Sequence, residues 1–255
     1  MPKPPAPPKR RFTPRMALRI ALWLIALAGM AWGAREARSF LVSDPRFRFE
    51  KLEIRGAAYT SRARIQNVFS SDFNHGILQI PLAERRRHVL AIDWVRTAAI
   101  TRIWPDRIVV TVTERRPVAF AKLPVAGTLR HWLALIDDEG VLLSLPPKVR
   151  FALPVLSGIS EEQSDEERRI RVESMSHLLA DLGPQSKDIS EINAASAQDV
   201  RVIADVDGQS VELWLGDQHY RSRYLNFLRH YQDIRRRDER AAIFDLRFDD
   251  RISTR

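Results

Sequence analysis

Residues 94–119 read WVRTAAITRIWPDRIVVTVTERRPVA. Two runs rich in β-branched residues flank Trp104-Pro105-Asp106, and proline beside an acid between such runs marks a turn. The spacing predicts strands over Val95–Ile103 and Arg107–Glu114. The second alternates with period two. Ile108, Val110 and Val112 share one face, and Val109, Thr111 and Thr113 share the other. A strand pair with an apolar face needs a cover, and the preceding residues supply one.

Upstream, Phe49, Leu52 and Ile54 mark a strand that Gly56 closes. Thr60 or Ser61 can cap a helix in which Ile65, Val68 and Phe69 recur at helical spacing. NHGILQI turns at Gly76, and Pro81 opens a second helix with Leu82, Val89, Leu90 and Ile92 as its apolar positions. The order is β-α-α-β-β. It predicts a small α+β domain over 47–116, with two helices on one face of a three-stranded sheet.

Downstream, residues 117–255 read as a larger mixed β-sheet domain with two helices. Residues 130–145, RHWLALIDDEGVLLSL, form a hairpin around Asp137-Asp138-Glu139-Gly140. The three acids, adjacent in a turn, read as solvated residues rather than a metal or acid–base site. LPVLSG at 153–158 closes that section. Residues 161–182 form an amphipathic helix led by Glu161, Glu162, Asp165, Glu166 and Glu167, with Ile170, Met175, Leu178, Leu179 and Leu182 as its stripe. Strands are expected over 189–194, Val200–Val206 and 210–215, with Asp207-Gly208 as a turn. A helix over 221–236 buries Tyr224, Phe227, Leu228, Tyr231 and Ile234. The last strand covers 242–248.

The amino terminus is of another kind. Lys3, Lys9, Arg10, Arg11, Arg15 and Arg19 lie in a stretch without acids, so they account for most of the net charge of +9. Residues 20–34, IALWLIALAGMAWGA, then carry no charge. Fifteen residues give roughly 22 Å of helix, and a span needs about 20 residues. Extending back to residue 16 includes Arg19, whose head can reach interfacial water. Trp23 and Trp32 suit the two interfaces. The expectation is a proline-rich cytoplasmic tail at 1–15 and a transmembrane helix at 16–34, oriented by the positive-inside rule. A cleaved signal peptide is the competing reading, with Ala31-Trp32-Gly33 as its cleavage site. Gly29 and Gly33 form a GxxxG pair that is able to join two such helices.

Chemistry is not in view. Without cysteine there is no thiol catalysis, disulfide framework or thiolate metal site. The six histidines are scattered, and there is no H-E-x-x-H, G-x-S-x-G, S-x-x-K or phosphate-binding glycine loop. No cofactor and no metal are expected. Basic charge concentrated in a tail beside an apolar run argues against nucleic acid.

The 94–119 motif, with I-R-G before it and G-I-L-Q-I between the helices, resembles a POTRA domain. More specifically, it resembles the FtsQ/DivIB family of bacterial cell-division proteins. L-I-D-x-E-G-V, L-P-V-L-S-G, L-W-L-G and the terminal I-F-D-L-R-F-D-D-R-I follow in that family's order, so the resemblance covers about residues 16–255. It implies a non-enzymatic divisome scaffold in the inner membrane at the division septum, with a cytoplasmic amino terminus and extracytoplasmic domains. The implied partners are FtsB/DivIC-like and FtsL-like single-pass proteins, with other divisome proteins beside them. Weak self-association stays open. Carried over by position, Arg247, Phe248, Asp250 and Ile252 on the terminal strand would face the partner. Arg247 would pair with an acid, and Phe248 would supply apolar area or else pack into the core. The alternative is a POTRA-containing periplasmic assembly or chaperone factor.

Overall fold

The computed structural model describes residues 14–147, 149–196, 198–248 and 251–254. Most of the expected tail therefore lies outside the described residues, as does Asp250. The chain divides into two compact units. One holds Met1–Arg55, Arg62–Arg87 and Ala99–Thr111, and the other holds Gly56–Ser61, His88–Ala98 and Val112–Arg255.

Helix α1 runs from Pro14 to Ser43, nine residues past the end of the uncharged run at residue 34. Every described side chain from Ala21 to Glu36 is exposed, including Leu22, Trp23, Leu24, Ile25, Leu27, Met30 and Trp32. Among the described residues no helix is long and apolar enough to cross a membrane. The span expected at 16–34 is thus not seen as such. Its uncharged run is short, and Arg19, Arg35 and Glu36 flank it closely.

The family-like motif forms the sheet predicted for it. β1 (Lys51–Arg55), β2 (Val95–Ile103) and β3 (Arg107–Glu114) lie in the order β1-β3-β2, with β1 parallel to β3. α2 (Arg62–Val68) and α3 (Leu82–Leu90) lie between β1 and β2 in the chain. Within the first unit, Phe49, Ile65, Phe69, Ile77, Ile80, Ile108 and Val110 are buried. Phe73 stacks on Phe49 at 4.6 Å between ring centroids. Arg102 donates to the carbonyl oxygens of Ile77 (2.8 Å) and Ile80 (2.5 Å), fixing the loop that follows the Gly76 turn.

The second unit is built on a nine-stranded sheet. Its strands are β4 (Pro117–Pro124), β5 (His131–Asp137), β6 (Leu142–Leu143), β7 (Val155–Ser157), β8 (Ile189–Asn193), β9 (Val200–Val206), β10 (Gln209–Gly216), β11 (Ile243–Asp245) and β12 (Ser253–Thr254). They lie in the order β12-β11-β10-β9-β8-β7-β4-β5-β6. Parallel pairing joins β4 to β7, β7 to β8 and β10 to β11, and the other pairs are antiparallel. α4 (Asp165–Leu182) and α5 (Tyr220–Arg237) supply the cover. One continuous core unites Ala121, Leu123, Ala134 and Ile136 of the sheet with Met175, Leu178, Tyr224 and Phe227 of the helices.

Several expectations need correction. β4 and β7 are strands at the middle of the sheet, where only a motif and a closing segment were read. β4 buries Ala119, Ala121 and Leu123, and small alanines give a weak periodic signal. α4 starts at Asp165, not at 161, because Ser164 caps it: its hydroxyl accepts from the Glu167 amide while Glu167 accepts from the Ser164 amide. Ile170 faces solvent, and Val172 and Arg168 take inward positions. Arg168 donates to the carbonyls of Gly140, at 2.8 Å, and Gln163. The turn acids are not all solvated. Asp137 is fully buried, its Oδ1 accepting from the amides of Glu139 (3.0 Å) and Val141 (2.8 Å), its Oδ2 from Arg115. Arg115 also reaches Glu139, and Arg96 bonds Glu139 at 2.8 Å.

Gly56 shows why the chain needs glycine after β1. Its φ is +80°, and a Cβ there would lie 2.1 Å from the Val112 carbonyl oxygen. Next to it, the Glu114 carboxylate accepts from the amides of Ala58, Tyr59 and Thr60.

Candidate partner-binding site

The terminal strand differs from its expected form. β11 spans three residues rather than seven, and it is not the sheet edge. It lies parallel to β10, with Glu212 opposite Ile243 and Trp214 opposite Asp245. The Leu246 amide still donates to the Trp214 carbonyl at 2.9 Å. The chain then returns as β12, antiparallel to β11, with Phe244 opposite Thr254 and Asp245 opposite Ser253. Ser253 and Thr254 are exposed, so they form the outer edge of the sheet. Unpaired N–H and C=O groups on such an edge are a template for a further strand.

The strand faces also depart from simple alternation. Phe244 and Leu246 are buried against α5, with the Phe244 ring 4.9 Å from that of Phe227. Asp245, on the opposite face, is buried as well. It is buried because Arg247 covers it. Arg247 Nε and Nη2 donate to the two carboxylate oxygens at 2.9 and 2.6 Å. The Asp245 carboxylate raises the Arg247 pKa above its ordinary value. Asp199 lies 3.5 Å from Arg247 Nη1. The Arg247 guanidinium therefore has acids of its own chain, and a partner's acid would join an ion-pair group already formed.

Trp214 joins this group. Arg201 stacks on its ring at 3.9 Å and Arg247 approaches at 5.0 Å, which is cation–π geometry. Its indole N–H donates to Glu212 at 2.7 Å. Trp214, Arg201 and Asp199 were not read from the sequence as part of the site. A signal existed: Leu213 and Leu215 point into the core, so Trp214 between them has to face outward.

Phe248 follows at 47% exposure, with the Arg251 guanidinium 4.5 Å from its ring centroid. It borders a cavity of about 360 Å³ with His219, Ser222, Arg223 and Asn226 of the α5 start, Leu246 and Ile252. Ile252 packs against the main core. Arg223 is nearly buried and donates to the Leu215 carbonyl at 2.7 Å. Gly216, with φ +77°, leaves room for both arginines. A Cβ there would stand 3.0 Å from Arg223 Nη1 and 3.4 Å from Arg247 Cγ. Of the four residues chosen from the sequence, Phe248 and Ile252 line this groove, Arg247 sits beside it, and Asp250 lies outside the described residues.

The site therefore pairs an open two-residue edge with a groove of mixed character, in which Leu246, Phe248 and Ile252 face His219, Ser222, Arg223 and Asn226. Among the described residues no group of three or more histidine, aspartate or glutamate side chains can hold a metal. Residues 47–115 match the family model described as "POTRA domain, FtsQ-type". The cell division protein FtsQ of Koribacter versatilis is 33% identical over 97% of this chain and 72% of its own length.

The chain belongs to the FtsQ family.

FtsQ of Novosphingobium aromaticivorans is 30% identical over 92% of this chain and 69% of its own length. FtsQ of Myxococcus fulvus is 26% identical over 82% and 73%. These alignments extend well beyond the POTRA match. The FtsQ-type resemblance read from residues 94–119 and from the carboxyl-terminal motifs is thereby shown, and with it a place among cell-division proteins.

Proposed function

We propose that this FtsQ-family chain is a non-enzymatic divisome scaffold that captures a single-pass FtsB/DivIC-like partner, together with an FtsL-like one, at the β12 edge. One observation carries the reading. The sheet ends in two exposed strand residues beside a groove in which a large apolar side chain, Phe248, is half open. An extended partner segment adds backbone hydrogen bonds at β12 and sets a side chain against Phe248 and Ile252. Arg247 and Arg251 favour an acidic neighbour on that segment. The scaffold links early cytoplasmic division proteins to septal peptidoglycan synthesis.

Membrane anchoring is part of the proposal. Its support is a helix apolar on every face and exposed on every face between residues 21 and 34, a pattern that lipid satisfies. The short run is compensated by Arg19 and Arg35, whose stems can lie in lipid while their heads reach the interfaces. The amino terminus is then cytoplasmic and both units are extracytoplasmic, at the septum.

The test is capture of the FtsB-like protein by the full chain and by Phe248→Glu. The variant loses capture while its circular dichroism stays unchanged. Normal capture by a folded variant overturns the contact assignment. Depletion of the protein yields filamentous cells, and normal division on depletion overturns the scaffold reading itself.

A further inference from the structure

The turn between β2 and β3 stands at one particular end of its sheet. β1 is parallel to β3, with Lys51 opposite Arg107, so both strands begin at the same end. Trp104-Pro105-Asp106, which precede β3, therefore lie beside the residues that precede β1. The contacts agree. The amides of Glu50 and Lys51 donate to the Asp106 carbonyl at 3.0 and 3.2 Å, and the Phe47 ring meets the Trp104 ring edge-on at 5.4 Å. Phe47 is only four residues beyond the end of α1 at Ser43. The link between them is a short 3-10 turn, Pro45–Phe47, capped by the Asp44 side chain, which accepts from the Arg46 amide at 2.9 Å. The chain thus passes from α1 into the sheet at the end that carries the β2–β3 turn.

That end carries apolar surface. Ile103 is 42% exposed and Trp104 50%. Leu78, also exposed, belongs to the loop that Arg102 holds through the carbonyls of Ile77 and Ile80. Two acids at this end are already paired, Asp44 with Arg46 at 2.9 Å and Asp106 with Lys51 at 2.5 Å. Arg48 and Glu50 are exposed and offset each other in charge.

We infer that the Ile103–Trp104 tip is seated in the headgroup layer of the membrane that α1 crosses, a second lipid contact that rests on the anchoring proposed above. The lengths agree. The thirty residues of α1 measure about 45 Å, and a bilayer with its headgroups measures about 40–45 Å. Leu27 is the middle of the uncharged run at 20–34, and Ser43 lies about 24 Å further along the helix. A common tilt of about 20° brings that to about 23 Å of height, against about 20–22 Å for half the bilayer. The helix therefore ends at the outer limit of the headgroups. The tip, packed against Phe47 a few residues later, meets them there. An indole, apolar in body with one polar N–H, favours that level. Helix and tip together fix how the first unit stands on the lipid, which one helix alone leaves free to swivel. The contact is independent of the β12 edge.

The absence of cysteine makes the test direct. The full chain is reconstituted in phosphatidylcholine vesicles with one fluorophore-labelled cysteine, as Leu27→Cys, Ile103→Cys or Thr111→Cys. Thr111 is exposed and lies roughly 13 Å along β3 from Arg107, away from the tip. Lipid bearing a nitroxide at the headgroup quenches the label of Ile103→Cys about threefold more strongly than that of Thr111→Cys. Lipid bearing it deep in the acyl chain quenches Leu27→Cys. Adding Trp104→Ser to Ile103→Cys lowers the quenching to that of Thr111→Cys while circular dichroism is unchanged. Equal headgroup quenching at 103 and 111, with Leu27→Cys quenched, overturns the inference and leaves the anchor standing. A label at 103 that is shielded from iodide but not quenched by nitroxide lipid is covered by protein, which also overturns it. An unquenched Leu27→Cys overturns the anchor and the tip contact together.

Discussion

Arg115 donates to the fully buried carboxylate of Asp137 at 2.7 Å, and no water need intervene. The same carboxylate accepts two backbone amides of the β5–β6 turn. Removing one partner of a buried, hydrogen-bonded pair costs more than the pair contributes, because the other charge is left behind. Asp137→Ala is expected to destabilise the full chain by about 3 kcal/mol in urea unfolding. Arg96→Ala, which removes exposed contacts to Asp138 and Glu139, costs at most about 1 kcal/mol. Equal losses would mean that the turn is not held by the buried pair.

Arg168 performs a related task at the start of α4. Its side chain satisfies carbonyls of Gly140 and Gln163 while itself nearly buried. Arg168→Ala leaves those oxygens without a donor, at a cost of about 1–3 kcal/mol each where water cannot enter. Differential scanning calorimetry should show a melting temperature lower by roughly 5–10 °C.

Tyr224 supplies a pH dependence of known sign. Burial pushes its phenol up to about 12 from an ordinary value of 10, with Asp188 and Asp205 adding to the shift. The folded state thus keeps a proton that the unfolded chain loses above pH 10. Stability is fully present below pH 10 and falls as pH rises toward 12, by roughly 2 kcal/mol in all. Tyr224→Phe flattens that fall. At neutral pH it changes stability little, since the hydroxyl's bond to Asp188 is long at 3.5 Å.

Gly216 gives a local probe of the groove. Alanine there adopts a left-handed conformation and presses on Arg223 and Arg247. Gly216→Ala should lower stability by about 1–2 kcal/mol. It should also weaken capture of the FtsB-like partner, because Arg247 moves. Unchanged capture by the folded variant would separate Arg247 from the contact.

The β-α-α-β-β unit was legible because its signals are local. Trp104-Pro105-Asp106, the alternation from Ile108 to Thr113, and Gly56 each act within a few residues. The sheet order of the second unit was not legible. β7 is three residues long, and β12 two, and both exist because of pairing with strands far away in sequence. A strand of that length has no periodicity to read. The same holds for the site. Phe248 and Ile252 were chosen by position and border one groove, but the return of the chain as β12 depends on Asp245 and Phe244 offering an edge. Asp137 misled for the opposite reason: an acid in a turn is ordinarily solvated, and its burial depends on Arg115, 22 residues earlier.

The β4–β7–β8 arrangement also dictates an order of events during synthesis. β4 and β5 can close as soon as residue 137 is made, yet the other side of β4 waits for residues 155–157, and β7 waits for 189–193. Lys122 meets Glu191 across 69 residues of chain. Until residues 155–157 arrive, one side of β4 is an open edge, and from then until residues 191–193 arrive the far side of β7 is one. Elongation from residue 140 to residue 190 is thus the interval in which these edges are open to misassociation, and the arrival of β8 ends it.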